Sequence, residues 1–176
     1  MKSGFARFNI YLCCALALLL FPGCQTSGKK DKDKATIIEL HMEVNADGAT
    51  DNAPMPIGRN AAFEVNADKD PFLDAADLVS AKLVDDLGGF AIELKYNWKG
   101  TTLLDSMTTS YRGKRIAVFC KWNKERWLAA PVMNKRIGNG VFKFTPDATR
   151  EEAEKIVKGL NNIAKELKKE EEKDSF

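Results

Sequence analysis

The sequence predicts an α+β fold in which a helix docks on a sheet. Three observations carry that reading. Apolar and polar side chains alternate at a period of two in short runs, as at residues 38–44 and 116–122, which is how a half-buried strand reads. Asp86-Leu87-Gly88-Gly89 separates two strand-like runs with the residues of a tight hairpin turn. Near the end, Ala153, Ile156, Val157, Leu160, Ile163, Ala164 and Leu167 recur at three- and four-residue steps. They make one apolar stripe, with Lys and Glu opposite, that needs a sheet to cover it.

The chain opens with an address. Lys2 and Arg7 precede an apolar run over residues 10–21, closed by Pro22-Gly23-Cys24. A charged start, about a dozen apolar residues and a small residue at the cut site describe a secretory signal, too short to span a bilayer. The small residue followed by cysteine resembles a bacterial lipoprotein signal. That resemblance implies removal of residues 1–23, lipidation of Cys24 with palmitate or a similar acyl chain, and an anchor at a membrane of the cell envelope, facing the periplasm. Gln25 after the cysteine, rather than aspartate, implies the outer membrane if the host is Gram-negative. Plain secretion and an uncleaved anchor are the alternatives. Residues 24–35, with Lys29-Lys30-Asp31-Lys32-Asp33-Lys34, read as a solvated tether; at about 3.3 Å per residue it reaches roughly 35 Å.

The elements follow in order. Residues 36–61 hold a first strand at 38–44 and then a loop marked by Asp47-Gly48, Pro54, Pro56 and Gly58. A domain over residues 62–168 comes next. It contains a short strand at 63–65, the hairpin of 79–84 and 90–96, and a helix after Gly100 with Leu103, Leu104, Met107 and Tyr111 on one face. Strands at 115–121, 127–129 and 141–144 lead to the final helix. There Thr149 and Glu152 stand at capping-box spacing, which satisfies two unpaired backbone donors. Residues 169–176 read as a charged tail.

Charge excludes one class of partner. Lys and Arg number 27 and Asp and Glu 25; loss of Lys2 and Arg7 with the signal balances them, which gives no reason to expect nucleic acid. Cys13, Cys14 and Cys24 belong to the signal and its cut site, so Cys120 alone remains in the folded part, either as apolar filler or as a reactive thiol or intermolecular bridge. The single histidine, His41, stands between Glu39 and Glu43 on the polar side of its strand. Either that trio is a solvated strand face or it holds a metal, although three such side chains spread over about 13 Å. Asp47–Asp51 lacks the pattern of a calcium loop. Asp85-Asp86 is either a paired-carboxylate site or a wet turn. No catalytic residues, metal or cofactor are assigned, and no enzymatic activity is expected.

Binding offers more. Trp122, Lys124, Arg126 and Trp127 crowd a hairpin tip, and aromatic and arginine side chains are enriched where binding energy concentrates. They are candidates for contact with a partner. The alternative packs both tryptophans into the sheet and leaves the lysines wet. Trp98 is a similar, weaker case.

A family resemblance joins these pieces. Thr108, Tyr111 and then Gly113-Lys114-Arg115-Ile116-Ala117-Val118 resemble the helix-to-strand passage in the first periplasmic (head) domain of the SecD/SecDF protein-export family. Ala130-Pro131-Val132-Met133, Phe144-Thr145 with Glu151-Glu152-Ala153, Leu73-Asp74-Ala75-Ala76-Asp77-Leu78 and the Gly89 hairpin are similar to family segments in the family's order. Residues 121–126 depart from it by lengthening a short turn. The resemblance implies an antiparallel sheet with helices packed on one face, ferredoxin-like in flavour, and contact with exported polypeptide rather than chemistry. No apolar run after Cys24 is long enough to span a membrane, so proton-driven transport does not carry over with the domain. The expectation is a non-enzymatic envelope lipoprotein that binds exported polypeptide or an envelope partner. The alternatives are an assembly component with one fixed partner, or an enzyme built on Asp85 and Asp86 or on Glu39, His41 and Glu43.

Overall fold

The computed structural model describes residues 36–46 and 51–174. The signal, Cys24, the tether and most of the Asp47–Asp51 loop lie outside the described residues. Among the described residues nine strands and two α-helices follow one another: β1 (Ile37–Met42), β2 (Asn52–Ile57), β3 (Phe63–Asp68), β4 (Leu73–Asp74), a 3-10 turn (Ala75–Asp77), β5 (Leu78–Asp86), β6 (Gly89–Tyr96), α1 (Trp98–Ser110), β7 (Ile116–Lys121), β8 (Glu125–Ala129), β9 (Val141–Phe144) and α2 (Arg150–Asp174). The α+β class is as expected.

The strands divide between two sheets, in the orders β3-β2-β8-β7-β1-β4 and β5-β6-β9. Every pairing is antiparallel except β2 with β8, which meet at Ile57 and Trp127. The larger sheet curls on itself. Glu43, just past β1, bridges to Ala67 of β3, and the Val44 N–H donates to the Asn66 carbonyl at 2.9 Å. Inside the curl sits a small core of Ile57, Val65, Ala67, Ala117 and Ala130, with Met55 and Trp127 packed against it. The main core lies elsewhere: Ile38, Leu40, Ile116 and Val118 of the larger sheet share it with Ile92, Leu94 and Phe142 of the smaller sheet and with Leu104, Ile156 and Leu160 of the helices. Each such side chain contributes roughly 1.5 to 3 kcal/mol by leaving water.

Pro54 and Pro56 predict a loop where the structure has β2. The two prolines alternate, so both missing N–H groups fall on one edge of the strand, while Ala53, Met55 and Ile57 alternate with them along the ladder to β3. At the other end, the segment expected to be a tail stays helical as far as Asp174. Its Lys and Glu residues are strong helix formers, and Lys168 and Glu172 stand one turn apart with Nζ 4.0 Å from Oε1.

α2 lies against β5 and guards it. The Asn161 amide accepts from the Ala81 N–H and donates to the Ala81 carbonyl, both at 2.9 Å, which completes the edge as a neighbouring strand would. Two residues earlier, Gly159 lets Thr36 approach: a Cβ there would stand 2.0 Å from Thr36 Oγ1. The chain therefore enters β1 pinned beside the middle of α2, and β1 pairs with β7 over six residues, from Ile37 with Lys121 to Met42 with Ile116.

Candidate functional site

The β7–β8 hairpin brings the candidate partner-binding residues together, but turns them on the protein itself. Trp122 is 7% exposed and belongs to the main core, so it is not available as a surface anchor. The Arg126 guanidinium lies 5.3 Å from the centroid of its ring and donates to the Asp147 carbonyl at 2.8 Å. Trp127 is half-buried, edge-on to His41 at 4.9 Å and tilted against Phe119 at 5.2 Å. Lys124 reaches Glu152 with Nζ 2.8 Å from Oε1.

Glu152 collects these cations. Its carboxylate accepts from the Thr149 N–H at 3.0 Å, and its own N–H donates to Thr149 Oγ1 at 3.2 Å, so the capping box forms as the sequence predicts. Arg59 Nη2 is 3.1 Å from Oε2 and Arg126 Nη2 is 3.7 Å away. The hydrogen bond from Lys124, then that from the Thr149 backbone, hold its pKa down at about 2. The Thr149–Glu152 pair was visible in the sequence. Its cation partners, 28 and 93 residues distant, were not.

The other candidates separate. His41 is buried, not on a solvated face: its Nδ1–H donates to the Asp68 carbonyl at 2.9 Å, and Nε2 is 3.5 Å from Glu39 Oε2. The curl of the larger sheet, which strand alternation alone does not reveal, covers that side of β1. Glu43 turns away to accept from the Arg115 N–H at 2.7 Å. No three His, Cys, Asp or Glu side chains among the described residues converge on a metal position. Asp85 pairs with Arg150, 2.5 Å from Nη2, while Asp86 pairs with Lys143 at 3.1 Å, which lowers its pKa. Burial pushes the Cys120 thiol up to about 12, so it packs as an inert apolar group.

An open cleft of about 750 Å³ is the feature that sequence reasoning missed. Ile57, Ala62, Phe63, Leu128, Pro131 and Pro146 give it an apolar surface, and Arg59 and Asp147 supply charge. The volume falls in the range of ligand sites, roughly 300 to 1,000 Å³, with mostly apolar lining and few polar groups. Phe63 remains 44% exposed, with the Arg115 guanidinium 5.4 Å from its ring centroid. Its lining comes from the β2–β3 turn, the end of β8 and the segment after β9, three stretches that only the folded chain assembles.

Residues 53–163, more than half of the chain, match the family described as SecDF, P1 head subdomain. The protein belongs to that family. Two solved SecDF structures resemble this head-family chain in fold. One is of SecDF described as a membrane component that enhances protein export, with a TM-score of 0.55 and 20% identity over 73% of this chain and 63% of that one. The other is of SecDF in a super-membrane-facing form, with a TM-score of 0.56 and 20% identity over 73% of this chain and 19% of that one. This chain thus spans less than two thirds of either. A search of curated proteins finds no match. Among the described residues no helix is long and apolar enough to cross a membrane.

Proposed function

We propose that this SecDF head-family protein is a non-enzymatic envelope lipoprotein that binds polypeptide on its way through or into the envelope. The observation that carries the reading is the open apolar cleft with Phe63 exposed at its rim, in a domain whose family takes its name from an export factor. An extended, unfolded segment presents apolar side chains and free peptide groups, and the cleft presents apolar surface beside Arg59 and Asp147. The lipid on Cys24 and the tether of residues 24–35 hold the domain at a membrane, facing the periplasm, with reach. Lys124 serves the Glu152 network in this reading, and the contact surface moves from the hairpin tip to the cleft.

The test is crosslinking from a photoreactive residue in place of Phe63, against one in place of Lys124. The bait is a permanently unfolded polypeptide, a reduced and carboxymethylated globular protein. Crosslinking from 63 and not from 124 supports polypeptide binding in the cleft. A catch in cells made of one recurrent envelope protein, with none of the unfolded bait, overturns it in favour of an assembly component.

A further inference from the structure

The β2–β3 hairpin is attached unevenly. At its base it is tied to β1 by the Glu43–Ala67 bridge, by the Val44 N–H on the Asn66 carbonyl and by His41 on the Asp68 carbonyl at 2.9 Å. Its ladder to β8 is confined to Ile57 with Trp127, beside which the Gly58 N–H donates to the Trp127 carbonyl at 3.0 Å. The tip beyond carries Arg59, Ala62 and Phe63, all on the cleft. There the Arg59 N–H donates to Asp147 Oδ2 at 2.5 Å, its Nε lies 3.5 Å from Oδ1, and its Nη2 reaches Glu152 at 3.1 Å. Asp147 also lines the cleft, on the segment after β9. One residue therefore joins two sides of the opening.

Three further observations bear on that junction. The turn holds Gly58 at φ 83° and Ala61 at φ 45°, and the latter is a conformation that costs an alanine energy. Gly58 passes so close to the carboxylate that a Cβ would meet Asp147 Oδ2 at 3.0 Å. Both Arg59 and Asp147 side chains are 42% exposed, and ion pairs as wet as this are weak.

We propose that the tip of the β2–β3 hairpin is a flap over the cleft: the hairpin stays anchored at its base on β1 and in the small core through Ile57, Val65 and Ala67, and the tip is latched by Arg59 on Asp147 and Glu152. The proposal rests on the cleft being the polypeptide site, and it states how that site is regulated. An entering segment brings its own peptide N–H groups, which Asp147 accepts in place of the Arg59 N–H; the tip then lifts and widens the cleft.

Native-state hydrogen exchange of the full domain tests the latch without any ligand. In Arg59→Ala, the amides of residues 58–62 are expected to exchange about tenfold faster, while the Val44 amide at the hinge keeps its rate, because local opening is set by local bonding. Asp147→Asn removes the charge with little change of shape and is expected to act in the same direction. Arg59→Lys, which keeps the charge but not the fork, is expected to fall between. Association of the carboxymethylated unfolded polypeptide should then be faster with Arg59→Ala than with the parent. Unchanged exchange at 58–62 overturns the latch, as does acceleration that spreads equally to Val44. Faster tip exchange with no polypeptide bound by either protein keeps the latch and removes the polypeptide reading instead.

Discussion

One carboxylate, Glu152, holds the start of α2, the β7–β8 hairpin and the tip of the β2–β3 hairpin at once. Its side chain is 17% exposed, drier than the Asp85–Arg150 pair at 85% and 52%, so its charge-assisted hydrogen bonds count for more. Its folded pKa of about 2 lies below the ordinary 4.5. A depressed carboxylate pKa gives stability that is complete above the unfolded value and is lost as pH falls through the folded one. The protein is therefore expected to lose part of its stability between about pH 4.5 and pH 2. Glu152→Gln should cost about 1 to 3 kcal/mol near neutral pH, from the cap and the lost charged hydrogen bonds. Urea unfolding of both proteins across that range checks this: the gap should close towards pH 2, and a gap independent of pH would place the effect in packing.

At the scale of elements, strand and helix existence was legible wherever one face meets the core. β1, β6, β7 and α2 follow their apolar periodicity because the main core lies on one side of each. The period failed where a second layer covers the other face: His41 and Ala117 look outward by alternation, yet the curl buries them. β2 failed because proline reads as a breaker until its pairing edge is known. The cleft was illegible for a related reason, since its lining comes from three distant stretches with no shared pattern. Asn161 is a similar case, a polar residue beside the apolar stripe whose amide takes the place of a strand edge for Ala81. Asn161→Ala leaves the Ala81 N–H and carbonyl without these partners and should cost about 1 to 3 kcal/mol. Denaturant melts check the cost. Sedimentation at rising concentration checks the second expectation, that an uncovered β5 edge promotes pairing between copies.

At the scale of the whole molecule, the lipoprotein reading makes the protein a tethered domain rather than a diffusing one. Radiolabelled palmitate should enter the parent chain and not Cys24→Ser, and the variant should move from the membrane to the soluble fraction; equal labelling of both would remove the anchor. The contact of Thr36 with Gly159 bears on what such an attachment transmits. The hydrogen bonds of β1 to β7 run perpendicular to the strand over six residue pairs, so they lie across any pull on the chain ahead of Thr36 that is directed along β1. These bonds are loaded together, in shear, rather than opened one after another as when a ladder is peeled from its end. Force is thereby shared across an interior strand.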